Sequence, residues 1–366
     1  MAFVTLNTSK LQENYCFLDK LFKENSIQWT VVSKLLCGNK LFLENLISLG
    51  IKSLCDSRVS NLKMIKKLDP NIETIYIKPP PKLSVSEIIK YADVSVNTEL
   101  KTIDLLSREA LKQDKKHKII IMIEMGELRE GVMREDFIDF YKKVFELPNI
   151  EVVGIGTNLT CLNGVLPNED KLIQLSLYRQ LIEAKFDKKI PLVSGGSSVT
   201  IPLLLHDILP GGVNHFRVGE SLFMGTDVYN DTALEGLNTN VFKLYAEIIE
   251  LIEKPMLPTG EMGTNVEGES HSLEVDQMGE TSYRAIIDLG MLDVDSKHIN
   301  PKDNSIDLVG ASSDMLVVDL GDNKNNYKVG DLIEFTMDYM GVLRIMSSKY
   351  IEKRIVEPAA VKENCK

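Results

Sequence analysis

The β-branched run Trp29, Thr30, Val31, Val32, Ser33 ends on Lys34. A lysine in that place is either a solvated strand end or, where partly buried, an amine whose pKa falls by desolvation, as a Schiff-base nucleophile requires. A second grouping, Ser194-Gly195-Gly196-Ser197-Ser198, is joined further along by Arg217-Val218-Gly219-Glu220. Glycine amides, hydroxyls and a helix N-terminus together cradle phosphate, because their unpaired N–H groups point at the anion. One serine-glycine cluster reads as a plain turn; its pairing with Gly219 favours phosphate.

These groups need a scaffold that brings them to one place. Short apolar runs alternate with amphipathic stretches, at Trp29–Ser33, Ser53–Asp56, Glu73–Ile77, Asp93–Asn97, Lys118–Glu124, Glu151–Thr157, Pro191–Ser194 and Val213–Val218. That spacing suits strand-helix units with parallel strands, and eight such units close a TIM-type barrel. Lys34 then sits at the C-terminal mouth, and both glycine loops follow the last two strands, where barrels commonly bind phosphate. Leu41–Ile51 and Lys101–Leu111 read as helices, with Ser57 and Thr98 placed as N-caps.

Phe3–Leu6 reads as an isolated strand and Thr8–Asn25 as a helix. After Tyr229 the pattern changes to strands at Val241–Leu251, Arg284–Leu289, Leu316–Leu320 and Asp331–Phe335, separated by Gly, Asp and Asn turns. The expected class is therefore α/β: a (β/α)8 barrel over 8–229, then a C-terminal β-rich domain over 230–366 that takes in the strand within 1–7. The polar stretch Pro255–Thr281 is expected to be a long surface loop.

Composition narrows the function. A net charge of -11 over 366 residues repels a phosphate backbone, so nucleic acid is not an expected partner. No apolar stretch reaches membrane-span length, and no basic segment leads into an apolar one at the N-terminus, so no membrane partner is expected either. The cysteines Cys16, Cys37, Cys55, Cys161 and Cys365 are odd in number and lack a CxxC pair, which suits a reducing, cytoplasmic setting. The five histidines show no metal-ligand spacing, so no metal is expected.

The motifs Val31-Val32-Ser33-Lys34, Gly154-Ile155-Gly156-Thr157-Asn158 and His215-Phe216-Arg217-Val218-Gly219 together resemble the fold-type III pyridoxal 5'-phosphate (PLP) enzymes of the alanine racemase family. Met125-Gly126-Glu127-Leu128-Arg129-Glu130-Gly131 is similar to the family's Gly/Arg loop after strand five. Gly310-Ala311-Ser312-Ser313-Asp314-Met315 and Val329-Gly330-Asp331 resemble landmarks of its C-terminal domain. Leu35-Leu36-Cys37-Gly38-Asn39 and the loop Ile287–Asp295 point to the alanine/ornithine racemase branch.

The resemblance implies that Lys34 carries PLP and moves the substrate α-proton on one face. It implies that Arg217 bonds the pyridine nitrogen, and that Ser197, Ser198, Gly219 and Glu220 hold the phosphate. Arg129 would meet the substrate carboxylate, where a planar fork suits bidentate binding. A homodimer with composite sites is also implied.

Several positions depart from the family pattern. Its second base, a tyrosine supplied by the partner subunit, is matched by Met291, whose thioether cannot accept a proton. Asp293 and Asp314 are the nearest replacements, or else turn aspartates. Asn158 stands for a ring-stacking histidine, Met122 for a lysine that is carbamylated in some members, and Cys37-Gly38 lies where a phosphate-reaching tyrosine is expected. The leading expectation is an amino-acid racemase acting on ornithine, lysine or an alanine-like substrate. A D-amino-acid aldolase or dehydratase, and a non-catalytic PLP carrier, are the alternatives.

Overall fold

The computed structural model describes residues 2–264 and 279–356. Phe3–Asn7 forms β1 and Thr8–Glu24 forms α1. The β-branched runs then form parallel strands: β2 (Gln28–Val32), β3 (Ser53–Asp56), β4 (Glu73–Tyr76), β5 (Val94–Asn97), β6 (His117–Met122), β7 (Ile150–Gly156) and β8 (Leu192–Ser194). Beyond Gly195 the short β9 (Gly196–Ser197) pairs with β10 (His215–Val218), which pairs with β2, so the order β8-β7-β6-β5-β4-β3-β2-β10-β9 makes a nearly closed barrel. Each of the eight expected runs overlaps a strand, with no end shifted by more than two residues.

Helices α2 (Lys40–Ser48), α3 (Val59–Leu68), α4 (Val85–Tyr91), α5 (Leu100–Lys112), α6 (Phe137–Phe145), α7 (Glu169–Phe186), α8 (Ile201–Leu205) and α9 (Glu220–Met224) follow the strands. Neither expected N-cap is used. Ahead of α3, Asp56 Oδ1 accepts from the N–H of the cap residue Arg58 at 2.9 Å, and no side chain caps the helix itself. For α5 the cap is Glu99, whose carboxylate accepts from Lys101 N. The helices begin at Val59 and Leu100, so Arg58 and Glu99 occupy the cap positions and neither Ser57 nor Thr98 does.

Inside the barrel, Val32, Cys55, Ile75, Val94, Val96, Ile120, Met122 and Val153 form one buried cluster. Strand alternation puts Thr30 on the same side as Val32, and His215 on the same side as Arg217. Phe216, between the latter two, faces the other way and packs at a tilt against Phe22, with ring centroids 5.0 Å apart.

Two compact units divide the described residues, 8–239 and 2–7 with 240–356. Residues 230–239 stay with the barrel. A hairpin of β11 (Thr226–Asp227) and β12 (Thr232–Ala233) turns them back, and Asn14 Oδ1 accepts from Asn238 N at 2.7 Å.

The second unit is antiparallel apart from one pairing. It contains β13 (Phe242–Pro255), β14 (Thr281–Ile287), β15 (Ile299–Pro301), β16 (Asp307–Ala311), β17 (Leu316–Asp319), β18 (Leu332–Met337), α10 (Tyr339–Ser347) and β19 (Glu352–Val356). The order is β15-β18-β13-β14-β17-β16, and β1 pairs antiparallel with β13 and parallel with β19. The expected Pro255–Thr281 loop lies largely outside the described residues. Its described ends are paired, Pro255 opposite Thr281.

Ile120 is fully buried within the barrel cluster. Ile120→Ala should therefore destabilise the protein by about 3 kcal/mol, through lost transfer energy plus a residual cavity. Urea denaturation midpoints of the two proteins check this.

Candidate active site

Lys34 is the second residue of a single 3-10 turn, Ser33–Leu36, directly beyond the end of β2. The turn is pinned to the next strand. Ser33 Oγ donates to Asp56 Oδ2 at 3.1 Å and to Cys55 O at 3.2 Å, and Asp56 Oδ1 also accepts from Asn61 Nδ2 at 3.0 Å. Cys37 then adopts φ 49° and Gly38 φ 72°, which reverses the chain into α2. Only glycine fits at 38, because a Cβ there would lie 2.6 Å from Asn61 Oδ1. Lys34 itself is exposed, not partly buried, while Ser33, Leu35 and Leu36 of the same turn are buried.

Arg217 lies near the end of β10 and is buried. Its Nη1 donates to Ser194 O at 3.0 Å and to Ser194 Oγ, and Nη2 donates to Thr157 O at 2.8 Å. Three strand ends thus meet on one guanidinium. Asn158 follows Thr157, and its Nδ2 is a buried donor with no hydrogen-bond partner.

The two glycine loops come together as the spacing suggests. Ser198 Oγ accepts from Ser221 N at 3.2 Å, and Arg217 is in register with Ser197. Ser197 and Thr200 form a reciprocal capping box that sets the entry to the turn before α8. Gly196 and Gly219 both permit close approach. A Cβ on the first would enter the Phe216 ring at 2.2 Å, and one on the second would lie 2.9 Å from Val32 O. Glu220, at the first turn of α9, is half-buried beside them.

Arg129 is carried on a loop tied at its base by Glu124 N to Val132 O and Val132 N to Met122 O. Two carboxylates shape this loop. Glu124 Oε1 accepts from the amides of Gly126 and Leu128, while buried Glu127 accepts from the amides of Leu162, Asn163 and Val165. Burial alone would raise the Glu127 carboxyl, but these backbone bonds outweigh it and hold it below the usual range. Arg129 forms a side-on pair with Glu130, and that bond, together with the nearby Cys161, raises the guanidinium further. Met122 is buried below, its sulfur 2.8 Å from where a Cβ on Gly156 would lie.

In the second unit, the loops of residues 290–295 and 312–315 are locked together. Met291 N donates to Ser312 O at 3.0 Å and Leu292 N to Ser313 O at 2.8 Å, while Gly290 lies against the Asp314 backbone. Asp293 Oδ1 accepts from Ser348 Oγ at 2.6 Å, whereas Asp314 is exposed and accepts only weakly from Ser312 Oγ and Ser313 Oγ.

Lys34, Asn158, Ser197, Ser198, Arg217, Gly219 and Glu220 therefore all sit at the C-terminal ends of barrel strands, with Arg129 on the loop after β6. Sequence reasoning missed Ser194 and Thr157 as acceptors for Arg217, and Asp56 as the anchor of the lysine turn. It also passed over His215. Its signal was the two-residue offset from Arg217, which puts both side chains on one strand face.

A barrel whose mouth gathers a lysine, a buried arginine and two serine-glycine loops, followed by a β-rich unit, defines a recognisable class of enzyme. The chain matches the alanine racemase N-terminal domain over residues 6–227 and belongs to that family. Ornithine racemase of Acetoanaerobium sticklandii is 37% identical over 354 residues, covering 96% of this chain and 99% of that protein. Lysine racemase of Thermotoga maritima is 33% identical over 358 residues, covering 97% and 98%. With full-length likeness to these, the chain is an amino-acid racemase.

Among solved structures, an alanine racemase from Bartonella henselae with covalently bound pyridoxal phosphate superposes with a TM-score of 0.73 at 16% identity, covering 97% of this chain and 99% of that one. D-threonine aldolase from Filomicrobium marinum gives 0.70 at 12% identity, covering 97% and 91%. At such identities the likeness is one of fold.

Burial pushes the Asp56 carboxyl up to about 6, against the opposing hydrogen bonds from Arg58, Ser33 and Asn61. Its unfolded value is about 3.9, so between the two the folded chain binds more protons. This group's contribution is present at low pH and is lost as pH rises through about 6. Asp56→Asn should remove that slope, seen as urea midpoints that no longer fall between pH 4.5 and 7.

Proposed function

We propose that this racemase works with PLP in the cytoplasm and interconverts the enantiomers of a diamino acid, ornithine before lysine. The observation that carries the cofactor is the donor set. The Asn158 amide lacks an acceptor, the buried Arg217 guanidinium is held in place nearby, and PLP presents a ring nitrogen, ring oxygen and phosphate. When bound, it supplies an electron sink that acidifies the substrate α-carbon.

Lys34 would hold it covalently and move the α-proton at Nζ. Arg217 would donate to the ring nitrogen. A guanidinium keeps its protons, so that nitrogen would stay unprotonated and proton return would be favoured over side reactions. Ser197 and Ser198 would hold the phosphate through hydroxyls, and Gly219 and Glu220 through backbone N–H groups. Arg129 would bind the substrate carboxylate. Its pairing with Glu130 supports a diamino acid, because the α-carboxylate and the distal ammonium can each take one member of that ion pair.

The opposite face needs a second base, and Met291 cannot be one. Of the two aspartates, Asp293 is committed to Ser348, so Asp314 is the better candidate. A second copy of the chain would present it, which implies a homodimer with composite sites.

Incubated with PLP and L-ornithine or L-lysine in deuterated water, the protein should exchange the α-proton and invert the product, faster than with alanine. Lys34→Ala should lose both turnover and the absorbance of covalently held PLP; normal covalent binding by that variant would sink the assignment. Asp314→Asn should slow inversion roughly 10²–10⁴-fold while α-exchange of one enantiomer persists, since one base remains. Chiral chromatography beside NMR-detected exchange separates the two effects.

A further inference from the structure

One chain of hydrogen bonds crosses the barrel interior. It begins at Arg217 Nη1, which donates to Ser194 Oγ. Ser194 Oγ lies 2.7 Å from His215 Nδ1, and His215 Nε2 lies 3.1 Å from Thr30 Oγ1. Thr30 Oγ1 is 3.2 Å from Ser53 Oγ, which donates to Glu73 Oε2 at 3.0 Å. Ser53 and Glu73 are the first residues of β3 and β4, at the opposite rim from the mouth, and Glu73 is exposed there.

The chemistry of the two ends sets every proton between them. A guanidinium only donates, so the Ser194 oxygen accepts from Arg217 and its own hydrogen is left for His215 Nδ1. An ionised carboxylate only accepts, so Ser53 gives its hydrogen to Glu73 and must accept from Thr30. Thr30, having given its hydrogen to Ser53, can only accept from His215 Nε2–H. Of the two neutral tautomers of His215, only the Nε2–H form leaves a proton in every link. The alternative tautomer leaves Thr30 and Ser53 facing each other with no proton between them, and leaves the Ser194 hydrogen without an acceptor in the chain.

We infer that His215 is a positioning residue for Arg217: as the Nε2–H tautomer it orients Ser194 to accept the guanidinium, and through Thr30 and Ser53 it ties that guanidinium to Glu73 at the other rim. The dipoles all run one way, with acceptor lone pairs toward the cation and hydrogens toward the carboxylate. Burial, reinforced by the Arg217 charge, pushes His215 down to about 3, so the ring stays neutral wherever the protein is folded near neutrality. The effect on turnover rests on the proposed role of Arg217 at the cofactor ring; the tautomer itself does not.

The first test is long-range 1H–15N NMR of the cofactor-free protein with labelled histidine. His215 should show protonated Nε2 and bare Nδ1, unchanged between pH 5 and 9. A protonated Nδ1, or titration in that range, overturns the inference.

The second test uses Thr30, which the proposed function leaves unassigned. Thr30→Val keeps the shape and removes the hydroxyl, so a population of the Nδ1–H tautomer should appear and kcat should fall roughly tenfold, with KM changed less than about twofold. Thr30→Ser should restore both signals. An unchanged tautomer in Thr30→Val, or a failure of Thr30→Ser to restore it, counts against the relay. Lack of racemisation in a protein that shows the expected tautomer counts against the proposed function alone.

Discussion

A guanidinium taken out of water is tolerated only where fixed acceptors replace its hydration. Arg217 meets that condition with acceptors drawn from the ends of β7 and β8, facing its own position near the end of β10. Those strands must therefore finish at one height, and the local sequence provides for it. Gly156 leaves room beside Met122 and the Ser194 carbonyl, and Gly196 lets the chain lie flat on Phe216. The serine loops, the lysine turn and the Arg129 loop are then arranged around a charge whose place is settled by the barrel interior.

The interior also explains a feature that apolar patterning conceals. Most inward positions are hydrocarbon, yet Thr30, Ser53, Ser194 and His215 form a polar seam along one side. Fully connected, such a seam costs little, because each group has its partner in place. The same seam makes the site sensitive to substitutions that are distant from it in space and apparently conservative in shape.

Much of the barrel was legible because buried parallel strands are β-branched runs at regular spacing, and each of the eight runs overlaps a strand. The site was legible as motifs, since lysine, arginine and paired glycine loops fall at strand ends. Less could be read where the pattern is ambiguous. Strand β16 is largely exposed and shows no alternation of apolar residues, β15 is only three residues long, and α10 was passed over although Val342, Ile345 and Met346 mark its buried face. The caps were missed because the helices begin two residues beyond Ser57 and Thr98: Arg58 takes the cap position of α3 without a side-chain bond, and Glu99 takes that of α5. The partners of Arg217 were invisible for a different reason: they join residues far apart in sequence, and only strand register brings them together.

The barrel mouth is rich in donors. Lys34, Arg217, Asn158, the serine hydroxyls and the loop amides suit it to hold an anionic group, but it offers little to take a proton from the side opposite Lys34. On the proposed mechanism the complementary chemistry would come from a second copy's other unit, where the loop at Met291 and the loop at Asp314 are hydrogen-bonded to each other. Any side chain at Gly290 would collide with the Asp314 backbone, so the spacing between these loops is narrowly constrained. A base displaced from residue 291 to residue 314 would thus remain on the same surface. A carboxylate becomes a stronger base as it is desolvated. The exposed apolar side chains of Leu292 and Met315 beside it would exclude water in the proposed homodimer, where a second copy would cover them. Assembly would then do more than deliver a base: it would create the environment in which a carboxylate can act as one.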